Sequence, residues 1–219
     1  MTEPTLAADQ AHLWIVPLDA ETADAGRPHL SAEEKERAER YRFERDGARY
    51  AAARGALRRI LARYLGCEAA AVALRYGPNG KPELAQEDAV FRFNLSHSGE
   101  RALIAVTRDR EVGVDIEALR PMPDAALMAE RFFSAAARSA FARLPPQERD
   151  EGFLRLWTRQ EAYLKARGDG LAGPLDETPD AHWQIRDLRP APGYLGALAL
   201  RGRLTAVRSF EFSCSRSSP

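Results

Sequence analysis

Phe91-Arg92-Phe93-Asn94-Leu95-Ser96-His97-Ser98-Gly99, then Ala102-Leu103-Ile104-Ala105-Val106-Thr107, then, past Asp109-Arg110, Val112-Gly113-Val114-Asp115-Ile116-Glu117 is the stretch on which the fold is read. Phe91 to Leu95, Ala102 to Thr107 and Val112 to Ile116 are strand-length runs rich in β-branched and aromatic residues. Ser96-His97-Ser98-Gly99 reads as the loop between the first two, and Asp109-Arg110 as a hairpin turn before the third. The order strand, turn, strand, turn, strand predicts an antiparallel sheet core.

Upstream, His12 to Leu18 reads as a first strand. Ser31 followed by Glu34 has capping-box spacing and starts a helix toward Arg45. A second helix covers Asp46 to Leu65, with Ala53, Leu57, Ile60, Leu61 and Tyr64 on one face and Gly66 at its end. Val72 to Tyr76 reads as a short strand before the turn Gly77-Pro78-Asn79-Gly80-Lys81-Pro82.

Downstream, Pro121 and Pro123 interrupt the pattern near the middle of the chain. Ala125 to Phe133 and Ala135 to Arg143 read as helices broken by Pro145-Pro146, and Glu151 to Ala166 as a long helix ended by Gly168 and Gly170. Trp183 to Ile185, Tyr194 to Leu200 and Leu204 to Phe212 are strand-like, and the last four residues are expected to fray. The expected fold class is α+β, in two similar halves, 1–120 and 121–219, each with helices packed on a small antiparallel sheet. No internal repeat is visible in the sequence.

The 219 residues are 45% hydrophobic and 29% charged, with a formal net charge of zero. That is ordinary globular composition, with no polycation that would favour nucleic acid or an anionic membrane. The two cysteines, Cys67 and Cys214, and the four histidines, at 12, 29, 97 and 182, form no zinc-type cluster. No apolar run approaches the roughly 18 residues of a membrane span. The start, Met1-Thr2-Glu3-Pro4, lacks the basic and apolar regions of a signal peptide, so a cytoplasmic protein is expected.

Three constellations carry chemistry. Asp115 and Glu117 are two apart in a strand and share a face, while Val114 and Ile116 point into the core. Paired carboxylates repel unless a cation or a shared proton relieves them, and hard oxygen donors suit Mg²⁺; two ordinary acids on a solvated edge are the plainer alternative. In Trp157-Thr158-Arg159-Gln160-Glu161-Ala162-Tyr163-Leu164-Lys165, Glu161 and Lys165 stand one helical turn apart. They form either a surface ion pair or a third metal carboxylate with a phosphate-binding lysine beside it. Lys81, fixed between Gly80 and Pro82, together with Ser96-His97-Ser98, offers charge and hydroxyls to phosphate oxygens, or simply makes two polar loops. The arginines from Arg37 to Arg63, including Arg54 and Arg58, read mostly as solvent-facing.

Together these segments resemble the 4′-phosphopantetheinyl transferases of the larger, Sfp-like class. Phe93-Asn94-Leu95-Ser96-His97-Ser98, Val112 to Glu117, Phe132-Phe133-Ser134 and Trp157 to Lys165 match its signatures in order, and Gly80-Lys81-Pro82 falls where expected; the likeness runs from about Ser31 to Leu175. The resemblance implies two α+β halves related by a pseudo-twofold, with the active site in the cleft between them, and a monomer. It implies Mg²⁺-dependent transfer of the phosphopantetheine arm of coenzyme A to a serine of an apo acyl or peptidyl carrier protein, with 3′,5′-ADP released. Asp115, Glu117 and Glu161 would hold the metal, and Asp115, Glu161 and Lys165 would act on the reacting phosphates. Lys81, Ser96, His97, Lys165, Arg49 and Arg37 would bind coenzyme A, with His97, Arg49 and Arg37 toward its 3′-phosphate and adenine. The carrier is expected to dock on Ala125 to Leu144. Three positions depart from the family pattern: Ala137 stands for a glutamate, Gln160 for a lysine, and Glu34, with Lys35 beside it, for a basic residue. A relative that binds coenzyme A or carrier protein without transfer is the alternative they raise.

Overall fold

A computed structural model describes residues 5–168 and 179–214. Gly170, Leu175 and the last four residues, all named above, lie outside them. The strands are β1 (Gln10–Pro17), β2 (Leu74–Tyr76), β3 (Pro82–Leu84), β4 (Phe91–Ser98), β5 (Arg101–Arg108), β6 (Val112–Ala118), β7 (Trp183–Leu188), β8 (Tyr194–Arg201) and β9 (Ala206–Glu211). The helices are α1 (Ala20–Gly26), α2 (Ala32–Glu39), α3 (Glu44–Leu65), α4 (Ala125–Phe132), α5 (Ala135–Ala142) and α6 (Arg149–Arg167). The chain is α+β, as expected.

Its strands form a four-stranded sheet in the order β4-β5-β1-β9, a three-stranded sheet in the order β6-β8-β7, and the small β2-β3 hairpin. The two larger sheets stack. Trp14 and Val16 of β1 join α3 in one core cluster. Ala11, Leu13 and Ile15, from the opposite face of β1, meet Val112, Val114 and Ile116 of β6 and Leu198 and Leu200 of β8 in another. Helix α6 covers the outer face of the second sheet. The layers are therefore helix, sheet, sheet, helix. The inner strands β1 and β5 are buried on both faces, which explains their near-continuous apolar sequences.

Three expectations are corrected. Asp109-Arg110 does not close a hairpin: β6 pairs antiparallel with β8, not with β5. Asp109, at φ 54°, instead turns the chain from one sheet to the other, because Val114 and Ile116 are needed between the sheets. Ser96-His97-Ser98 is not loop but the end of β4, in register with Leu103, Ala102 and Arg101. The first sheet is not wholly antiparallel, since β9 returns to pair parallel with β1. Strand membership thus crosses a division at residues 120 and 121 in both directions.

Local signals explain several ends. Ser31 and Glu34 form a complete capping box on α2. Gly66 and Gly168 close α3 and α6 in left-handed conformations that glycine adopts without steric cost. Arg54 and Arg58 correct the solvent-facing reading: each is 5% exposed, because buried Glu34 draws both inward. Its carboxylate meets Arg54 Nη2 at 2.7 Å and Arg58 Nε at 2.6 Å. Burial alone would raise the Glu34 pKa, but Arg54, the Ser31 N–H and Arg58 bring it below the ordinary carboxylate value.

Candidate active site

Gly113 decides how α6 sits on β6. A Cβ there would stand 2.0 Å from the Ala162 carbonyl oxygen and 2.3 Å from the Ala166 nitrogen. Only glycine admits this approach, and it lays Glu161 and Lys165, one turn apart on α6, against Asp115 on β6. Lys165 is not spent on the helix surface. Its Nζ donates to Asp115 Oδ1 at 2.6 Å and to Ser96 Oγ at 2.9 Å. Ser96 Oγ in turn donates to Asp115 Oδ1 at 2.7 Å.

Asp115 is 4% exposed, and its other oxygen, Oδ2, is buried without a hydrogen-bond partner. Burial raises its pKa; Lys165 and Ser96 oppose the rise, and Glu117 adds to it. Glu117 accepts from Ser98 Oγ at 2.8 Å and from Arg120 Nη1 at 2.7 Å. Glu161 is pushed up to about 6, first by burial and then by Asp115 and Glu117, against the pull of Lys165. The three carboxylates therefore feel one another across the gap between strand and helix.

Among the described residues, no three His, Cys, Asp or Glu side chains converge closely enough to enclose a metal ion as they stand. Lys165 pairs with Asp115 and Arg120 with Glu117. The donor set nevertheless fits a hard divalent cation: oxygen ligands only, mutual repulsion to be relieved, and a buried acceptor on Asp115 left over.

Beside this cluster lies a cleft of about 350 Å³, lined by the Asn79 to Pro82 turn, Asn94, Leu95, Glu161, Leu164, Lys165 and Gly168. Lys81 lines it, and its ammonium donates to the Ala166 carbonyl at 3.0 Å and sits 3.6 Å from Glu111. Burial lowers its pKa, and Glu111 counters part of that. His97 follows Ser96 in the strand and so points to the opposite side. Its ring is accessible, yet crowding around it disfavours the imidazolium, and Lys165 and Arg49 add like-charge repulsion. Arg49 stands 3.6 Å from Glu100. Arg37 is exposed and stacks over Tyr50 at 5.3 Å.

The structure thus groups Asp115, Glu117, Glu161, Lys165, Ser96 and Lys81, sets His97 and Arg49 nearby, and leaves Arg37 on the rim. Trp157 packs among Phe132 and Phe153, and Tyr163 and Leu164 are buried, all as core residues. Gln160 donates to the Phe132 carbonyl at 2.6 Å, so it tethers the end of α4 to α6. The sequence reading assigned no role to Asn94 or Arg120, and cast Ser98 as a loop hydroxyl for phosphate oxygens. The period-two spacing of Asn94, Ser96 and Ser98 was the available signal, hidden by reading Ser96 to Ser98 as loop.

The family described as "4′-phosphopantetheinyl transferase superfamily" matches residues 111–205. That described as "4′-phosphopantetheinyl transferase, N-terminal" matches residues 16–109. The 4′-phosphopantetheinyl transferase HetI of Nostoc sp. is 38% identical over 215 residues, 90% of each chain. The 4′-phosphopantetheinyl transferase psf-1 of Bacillus pumilus is 35% identical over 164 residues, 73% of this chain and 69% of its own. A 4′-phosphopantetheinyl transferase of Bacillus subtilis is 31% identical over 161 residues, 73% of this chain and 70% of its own. With both parts of the chain matched and a relative 38% identical over 90% of the chain, this protein is an enzyme of the 4′-phosphopantetheinyl transferase family.

Proposed function

We propose that this transferase moves the 4′-phosphopantetheine arm of coenzyme A onto a serine hydroxyl of an apo acyl or peptidyl carrier protein and releases 3′,5′-ADP. The observation that carries the reading is the meeting of Asp115 and Glu117 on β6 with Glu161 and Lys165 on α6, beside a cleft with a second lysine, Lys81. Two halves related by a pseudo-twofold frame that cleft.

Asp115, Glu117 and Glu161 would hold Mg²⁺, which when bound supplies positive charge to a pyrophosphate. In the reaction the serine oxygen bonds to the phosphorus of the phosphopantetheine arm, and the bond from that phosphorus to the 3′,5′-ADP oxygen breaks. Lys165 gives up its place on Asp115 and Ser96 to meet phosphate oxygens, and Lys81 adds charge along the cleft. Glu161, on the α6 side of the cluster, would accept the serine proton. His97 and Arg49 bind the 3′-phosphate and Arg37 lies toward the adenine. The carrier docks on α4 and α5.

The test is incubation of the protein with coenzyme A, Mg²⁺ and an apo carrier protein. Mass spectrometry should show the carrier gain one phosphopantetheine. An unmodified carrier across several acyl and peptidyl types would overturn the reading.

A further inference from the structure

Among the described residues, β6 is an edge strand of its sheet, paired with β8 on one side only. Its other edge faces β4, which belongs to the first sheet and forms no ladder with it. An edge buried in this way leaves backbone groups that must find partners elsewhere. Side chains of the first half supply them. Asn94 Oδ1 accepts from the Val114 N–H at 2.9 Å, and Ser98 Oγ accepts from the Ala118 N–H at 3.1 Å. Lys81 Nζ reaches the Val112 carbonyl at 3.4 Å. Val112, Val114 and Ala118 are alternate residues, as groups on one edge of a strand must be.

Between these anchors hang the two acids. Ser98 does two jobs with one hydroxyl: it receives the Ala118 N–H and donates to Glu117 Oε2 at 2.8 Å. Asn94 is 3% exposed and pins the residue just before Asp115. Neither side chain lies in the reacting groups, yet together they set the height and rotation of β6 opposite α6.

We propose that Asn94 and Ser98 are positioning residues for the transfer reaction: they finish the open edge of β6 and thereby fix where Asp115 and Glu117 stand relative to Glu161. This rests on the reading that those carboxylates hold a divalent cation. Partners that orient metal ligands are commonly worth 10–100-fold in metal affinity or activity. Ser98 has the larger share, because it also aims Glu117.

The test titrates Mn²⁺ into the free protein, followed by electron paramagnetic resonance, alongside steady-state kinetics with coenzyme A and a carrier protein. Ser98→Ala is expected to weaken Mn²⁺ binding about 10–100-fold and to lower kcat by a similar factor, with the KM for coenzyme A changed less than about twofold. Asn94→Leu, which keeps the branched side-chain skeleton, adds bulk and loses the acceptor, should move the same two quantities in the same direction by less. If Ser98→Ala does not fold, Ser98→Cys carries the test, since a thiol is a weak partner for both bonds. Wild-type Mn²⁺ affinity in a folded Ser98 variant overturns the proposal, as does a loss confined to the KM for coenzyme A. A wild-type protein that binds no Mn²⁺, or an Asp115→Asn variant that binds it undiminished, overturns the carboxylate site itself and the positioning role with it.

Discussion

Lys165 Nζ on α6 lies 2.6 Å from Asp115 Oδ1 on β6, and that pair closes the acid cluster with a positive charge of the protein's own. The lysine is partly exposed while the aspartate is almost fully buried, so the charge that can leave is the lysine's. A ligand bringing phosphate oxygens and a cation would exchange partners with this pair.

Asp115→Asn should therefore lose transfer activity while keeping the fold. The amide removes a carboxylate that burial already disfavours, and Ser96 can still donate to it. Transfer is expected to fall by more than the 10–100-fold typical of an orienting partner, and thermal unfolding to shift by only a few degrees. A variant retaining full turnover would remove Asp115 from the chemistry.

Glu34 gives a prediction of stability. Glu34→Ala would strand Arg54 and Arg58, each 5% exposed, without their shared carboxylate. Breaking a buried pair from one side costs about 3–5 kcal/mol, and urea denaturation should show a loss of that order. Glu34→Lys, which restores the basic residue usual in the family, should be worse still, because three cations would then crowd one buried site. A loss under about 1 kcal/mol in Glu34→Ala would mean that the triad is solvated.

His12 ties stability to pH. It is 1% exposed; its Nδ1 lies 2.8 Å from the Tyr64 hydroxyl, and burial, aided by Arg208, lowers its pKa from 6.5 to about 4. Between those values the unfolded chain binds more protons than the folded one. Stability should rise with pH from about 4 to 6.5, and the His12 contribution should be complete above that range. The full span is on the order of 3 kcal/mol at 1.36 kcal/mol per pKa unit. Chemical denaturation at several pH values should show this slope flattened in His12→Phe; an unchanged slope would assign it to other groups.

The proposed docking of a carrier protein on α4 and α5 turns on what α4 exposes. Phe133 and Phe141 are core, and Arg138 is occupied with the Glu130 and Phe133 carbonyls at 3.3 and 3.2 Å. Leu127, 69% exposed, is the large apolar side chain that α4 offers to solvent, and Arg131 lies over Phe132 nearby. Leu127→Asp is expected to raise the KM for the carrier protein at least about tenfold, a loss of about 1.4 kcal/mol, and to leave the KM for coenzyme A unchanged. Equal Michaelis constants in variant and wild type would move the docking surface off α4.

Much of this was legible beforehand because it is local. Ser31 with Glu34, the 3.6-residue period of α3, and Gly66 and Gly168 each announce themselves within a few residues. The facing of Asp115 and Glu117 followed from strand alternation alone. What escaped notice is long-range. Nothing near Asp109 says that β6 will pair with β8, some 80 residues on, instead of with β5 beside it. The inward turn of Arg54 and Arg58 depends on Glu34, about 20 residues away, which looked like a departure from the family pattern and is the reason both arginines are buried.

The parallel pairing of β1 with β9 bears on how the molecule is made. During synthesis, β1, β4 and β5 emerge long before Ala206–Glu211, so the first sheet waits with one long flank of β1 bare until β9 has been translated. Such a flank is an open template for another nascent chain. Strand β9 is then the one that seals β1, and a product released before it, however complete its acid cluster, would carry an adhesive edge.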